Sequence, residues 1–170
     1  MEFTTDYSDV QEGGLLPKGE YEAIIKYAGE DTTKSGTVHI NVTMAIRNDI
    51  NQQYKNKHIW HKLWHRKDPS PADVSCGGYS NKQIMSLSKA AGLPNGKKYG
   101  SLTDWCEELE GKCVRITVEH EEYNGEPQAK VKWVNQSKHP ECRHEWKEKE
   151  NDVDGAEQFA ELVPEGELPF

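Results

Sequence analysis

The sequence predicts a mainly β protein: a five-stranded β-barrel of the OB-fold type, with a helical insertion between strands 3 and 4 and a disordered acidic C-terminal tail. Three observations lead there. Strand-like and helix-like segments follow one another as three strands, helix, two strands, the connectivity of a small Greek-key barrel that commonly binds single-stranded nucleic acid or oligosaccharide. Apolar residues make up 34% of the chain and charged residues 29%, so part of it adds nothing to a core. The acidity is concentrated at one end: residues 1–139 hold 18 Lys/Arg and 19 Asp/Glu, whereas residues 140–170 hold 3 and 10. One domain over 1–139 and a tail over 140–170 accommodate these facts. An α+β sandwich is the alternative arrangement of the same elements.

The first strand is YEAIIKY at 21–27, followed by a polar turn. In the second, Val38, Ile40, Val42, Met44 and Ile46 alternate with His39, Asn41, Thr43, Ala45 and Arg47, the period of a strand with one buried face. HIWHKLWHR at 58–66 is the third strand, ended by the prolines and glycines of KDPSPADVSCGGY. Ser80 and Gln83 form a capping box ahead of Ile84, Leu87 and Ala91, and Gly92 with Pro94 stops that helix. Ser101 caps a second, short helix with Leu102, Trp105, Cys106 and Leu109 on one side. Two alternating runs then flank Asn124-Gly125, a strong hairpin signal. Beyond Lys138 the periodicity fades; residues 139–150 are compatible with a short helix, and 151–170 with disorder.

Charge is uneven within the domain too. Residues 32–100 carry 11 Lys/Arg against Asp49, Asp68 and Asp73, so the overall charge of -8 averages a basic middle with an acidic end and does not exclude a polyanionic partner. Cys76, Cys106, Cys113 and Cys142 include no CxxC pair, the N-terminal residues show no signal-peptide pattern, and no apolar run approaches membrane length. Reduced thiols in a cytoplasm, with no membrane association, are the expectation.

The candidate binding residues centre on HIWHKLWHR. Period two puts Trp60, Lys62, Trp64 and Arg66, with His58, on one face, where bases stack on indoles and cations meet phosphates. The alternative places both indoles in the core, and would bury Lys62 and Arg66 with them. Thr33 and Lys34 lie in the hydroxyl-rich turn TTKSG, apt for phosphate contacts, and Arg47, Tyr54, Lys55 and Lys57 surround the connection between strands 2 and 3. Trp133 alternates away from Lys130 and Lys132, which assigns it to the core.

Other chemistries find less support. His139, Cys142 and His144 lie close in sequence, with Cys106 or Cys113 to complete a zinc set, but the spacing fits no standard zinc pattern. No phosphate-cradling loop, paired acidic motif or nucleophile motif is present, so no metal, cofactor or enzymatic activity is expected.

Over residues 15–137 the sequence resembles small phage-encoded proteins long catalogued as a domain of unknown function and related to phage single-stranded DNA-binding proteins. The matching stretches are LPKGEYEAII, TTKSG, KHIWHKLWH, SKAAGLP, LEGKCVRITVE and EEYNGE. The resemblance implies an OB-type fold and a role in phage DNA replication, recombination or repair in the bacterial host cytoplasm. The ending PEGELPF is similar to the acidic, hydrophobic-tipped ends of bacterial and phage single-stranded DNA-binding proteins. That similarity implies partner binding through Glu165, Glu167, Leu168, Pro169 and Phe170, with phage or host replication and recombination proteins as the receptors. It departs from the bacterial form in having glutamates interrupted by Gly166 in place of a run of aspartates. An OB-like adaptor that binds proteins and no DNA is the alternative.

Overall fold

A computed structural model describes residues 2–5 and 15–146. The residues assigned to the acidic tail beyond Trp146, including the whole tip from Glu165 to Phe170, lie outside the described residues. In chain order the elements are β1 (Gly19–Thr32), β2 (Val38–Ile46), β3 (His58–Trp64), α1 (Pro71–Ser75), α2 (Asn81–Ala90), α3 (Leu102–Leu109), β4 (Cys113–Tyr123) and β5 (Glu126–Gln136).

All five strands pair antiparallel in the order β3-β2-β1-β4-β5. The two edge strands, β3 and β5, lie against each other, which rolls the sheet into a partly open barrel of the OB type. β1 outruns the segment expected from its apolar residues because it serves two neighbours: residues 19–24 pair with β4, and residues 23–32 pair with β2. A bulge between Ile25 and Tyr27 lets the long strand bend from one half of the barrel to the other.

The alternating residues fill the interior. Ile25, Ile40, Val42, Met44, Ile59, Leu63, Ile116, Val118 and Val131 are buried, and Ile84, Leu87, Trp105 and Leu109 of α2 and α3 cover them. Each such aliphatic side chain contributes about 1.5 to 3 kcal/mol on burial. Trp105 Nε1 donates to Ser88 Oγ at 2.8 Å, fastening α3 to α2.

The helix ends follow the sequence, with one exchange. Ser80 Oγ accepts from Gln83 N and Ser101 Oγ from Asp104 N, but the reciprocal capping box belongs to α1, where Ser70 and Asp73 cap each other beside Pro71. That five-residue helix lies in the segment read as a breaker. Ser70-x-x-Asp73 with proline at the first helical position was its signal. The hairpin reading holds: Asn124 (φ 55°) and Gly125 (φ 82°) take left-handed conformations, and Tyr123 pairs with Glu126.

Two expectations are corrected. Residues 139–146 form no helix; they run without regular structure as a strap hydrogen-bonded to Arg47, Asn48 and Asp49. Trp133 is not core but 59% exposed. The register between β4 and β5 shifts at Thr117/Val118, Val118 facing Val131 and Thr117 facing Trp133, so Lys132 is an extra residue on β5. Strict alternation carried across that bulge assigns Trp133 the wrong face.

Candidate nucleic-acid interface

Ladder register places three rows of side chains on the outer face of β1, β2 and β3. Trp60 stands beside Thr43 and Tyr27, Lys62 beside Asn41 and Gly29, and Trp64 beside His39 and Asp31. Ile59 and Leu63 point the other way into the core, which settles the orientation of HIWHKLW: Trp60 is 54% exposed, Trp64 44%, and Lys62 lies exposed between them. The strand therefore presents ring, cation, ring along one edge of the barrel, as its alternation predicted.

The floor beneath this edge is shaped by residues the sequence did not single out. Tyr27 is 39% exposed, and its ring lies flat along β1 over Gly29: a Cβ at position 29 would stand 2.3 Å from the Tyr27 hydroxyl. That hydroxyl donates to Asp31 Oδ1 at 3.3 Å. His39 is buried below Trp64, and Asn41 donates through Nδ2 to Asp31 Oδ2 at 3.1 Å and to Thr43 Oγ1 at 3.4 Å. His39 Nδ1 and Asn41 Oδ1 are buried without a hydrogen-bond partner. The signal for Tyr27 was its place in a strand continuing through Gly29 to Asp31, but the bulge hid its face.

The loop candidates divide. Lys34 is exposed at the tip of the β1–β2 hairpin, next to the Trp64 row, whereas Thr33 is committed to the turn itself: its Oγ1 contacts Ser35 Oγ and accepts from Thr37 N. Arg66 follows β3, with its backbone N–H on Gly78 O and its half-exposed guanidinium 3.7 Å from Asp73. Lys55 is exposed and Lys57 half-buried in the β2–β3 connection. Tyr54, half-buried, packs its ring edge-on to Tyr21, centroids 6.2 Å apart. Its place is structural rather than on the open face.

Arg47 is a clear correction. Its side chain is fully buried and clamps Asp49 with two hydrogen bonds, Nε to Oδ1 at 2.9 Å and Nη2 to Oδ2 at 2.6 Å. Its remaining donors reach His139 O, Glu141 O and Ser137 Oγ, and Glu22 lies 3.6 Å away. No donor is left for a phosphate. The position alternates as an outward residue of β2, but the strap closes over it.

The charges of that buried cluster follow from its bonds. Arg47's hydrogen bonds hold the Asp49 carboxyl down at about 2. Burial pushes Glu22 upward, yet hydrogen bonds from Ser137, Arg115 and the Lys138 amide outweigh it and leave the carboxyl below its ordinary value. The strap is tied further by Arg143 N to Asp49 and by Asn48, which exchanges hydrogen bonds with Glu145 and donates its amide to His144 Nδ1. His144 therefore spends a ring nitrogen on the backbone. Among the described residues no three His, Cys, Asp or Glu side chains gather as metal ligands. No helix among the described residues is long and apolar enough to cross a membrane.

No curated protein matches the chain significantly. Among solved structures, a chain of "Yeast RPA bound to ssDNA" is similar at 10% identity and a TM-score of 0.30, over 91% of this chain and 92% of that one. That likeness is too slight to bear on fold or function. The family model described as "Protein of unknown function (DUF669)" matches residues 3–143. The chain therefore belongs to that family.

Proposed function

We propose that this protein binds single-stranded DNA, largely without regard to sequence, through the outer face of β1, β2 and β3. The observation that supports this reading is the exposed triplet Trp60, Lys62 and Trp64, held outward by Ile59 and Leu63 and flanked by Tyr27. Exposing two indoles to water on one strand costs burial each could have gained, and a stacking ligand restores it. Bases offer a π-face whatever their identity, so rings alternating with a cation recognise a strand rather than a sequence. A duplex keeps its bases stacked internally and cannot use these rings.

In this reading the protein is no enzyme. It coats exposed strands during phage DNA replication, recombination or repair in the bacterial host cytoplasm, shielding them from nucleases and from secondary structure. Glu165, Glu167, Leu168, Pro169 and Phe170 supply a separate hook: an aromatic tip taken up by an apolar pocket, with flanking acids steering it to a basic surface.

Titrating tryptophan fluorescence with oligo-dT and with a duplex at several salt concentrations tests this directly. Single-strand binding quenches the indoles, exceeds duplex binding, and weakens with salt with a log-log slope of about -0.7 per phosphate neutralised. Absence of salt-dependent quenching would leave the adaptor reading in its place.

A further inference from the structure

β5 carries an arrangement similar to that of β3. Trp133 is more exposed than either β3 indole, the Lys132 ammonium stands 5.9 Å from its ring centroid, and Lys130 is exposed on the same strand. The bulge opposite Thr117 delivers the indole to the surface, where a regular ladder would have turned it inward. Bulges recur where a side chain is re-aimed for use.

The position of β5 matters as much as its residues. β5 is the edge strand that meets β3, so a nucleotide chain leaving the Trp60–Trp64 face reaches β5 directly across the seam. His61 of β3 is near enough to Lys130 of β5 for that cation, added to burial, to pull the imidazole down to about 4. Beyond β5 the charge reverses: on β4, Glu119 stands opposite Lys130, and Glu121 lies 3.5 Å from its ammonium. A phosphate backbone is attracted by the β5 edge and repelled by β4, which confines its path to the seam.

We propose that Trp133, with Lys130 and Lys132, is a further stacking position for single-stranded DNA, occupied when the strand passes from the β3 face across the seam onto β5. The proposal rests on the reading of the β3 face as the primary contact. It makes the site longer than the three-strand face: short oligonucleotides fill the β3 face alone, and longer ones add Trp133.

The test uses the full chain and two lengths of oligo-dT, about 4 and about 16 nucleotides, the span of sites reported for single OB folds. Trp133→Ala is expected to weaken the longer oligonucleotide about ten-fold, the effect of one lost stack, and to leave the shorter within two-fold. Trp133→Phe, which keeps a ring, retains most of the affinity. Lys130→Ala with Lys132→Ala lowers the salt slope for the longer oligonucleotide alone, and this reads the site even if Trp133→Ala fails to fold. Unchanged affinity for the longer oligonucleotide in the Trp133 and lysine variants, while Trp60→Ala and Trp64→Ala still weaken it, overturns this inference and spares the primary reading. Equal weakening at both lengths overturns it too, since Trp133 would then belong to the first site. If wild-type protein binds neither length, both proposals fall. If Trp133→Ala changes only self-association in sedimentation, the occupant is a second copy of the chain and the inference is overturned.

Discussion

The imidazole of His39 stacks beneath the indole of Trp64, ring centroids 4.6 Å apart and planes 30° apart. His39 is buried and Trp64 is not, so the pair supports one ring from below while leaving its other face open. A base stacking on Trp64 then meets a ring whose orientation is already fixed, which lowers the entropy lost on binding. His39→Ala is expected to weaken oligo-dT binding a few-fold with Trp64 still present; Trp64→Ala and Trp60→Ala each cost about 1 to 3 kcal/mol. Fluorescence titration of the three variants orders them, and an unaffected His39→Ala would show that Trp64 needs no support.

Gly29 tests the floor of the same face. A methyl group there collides with the Tyr27 hydroxyl, the end of a side chain that can swing away. Gly29→Ala should therefore displace Tyr27 at little cost in stability while weakening single-strand binding. Thermal unfolding and DNA titration of one preparation separate the two effects.

Arg47 and Lys62 are both cations in the basic middle of the chain, and the structure places them oppositely, Arg47 fully buried and Lys62 exposed. Truncating Arg47 leaves the largely buried Asp49 carboxylate without its cation, while Glu22 keeps Arg115, so Arg47→Ala should cost about 3 kcal/mol in urea unfolding. Lys62→Ala should leave unfolding unchanged and reduce the salt slope of single-strand binding by about 0.7.

Acid acts on the same buried cluster. The Asp49 carboxyl titrates at about 2 in the folded protein against an ordinary 3.8, so the folded state binds its proton more weakly than the unfolded chain does. The stabilisation is complete above pH 4 and is lost as pH falls from about 4 towards 2. Its size is on the order of 2 kcal/mol, and Glu22 shifts in the same direction. Unfolding midpoints from pH 7 to 2 should fall in this window, and Asp49→Asn should flatten the fall.

Residues 147–170 hold eight Asp/Glu and two Lys. As a polyanion on the same chain they are expected to compete with DNA for Lys34, Lys62 and Arg66 if the proposed binding face is correct. Ending the chain at Trp146 should tighten oligo-dT binding at low salt, with the gain fading towards about 1 M, where the Debye length is about 3 Å. Equal affinity with and without the segment at low salt would remove the competition from the account.

The sequence by itself determined the five strands, their order along the chain, the two main helices, the Asn124-Gly125 turn and the division of HIWHKLWHR into two faces. Each of these is written in local periodicity or capping chemistry, whereas which of the two faces looks outward was decided by Ile59 and Leu63 entering the core. What the tertiary structure decided lies wherever a neighbour changes the count. The bulge on β1 turned Tyr27 onto the face, and the bulge on β5 brought Trp133 out, because one extra residue inverts every later side chain of a strand. The strap at 137–146 sealed Arg47 away from solvent, since a position that alternates outward stays exposed only if nothing else folds over it. Both effects depend on partners distant in sequence, and period two carries no trace of them.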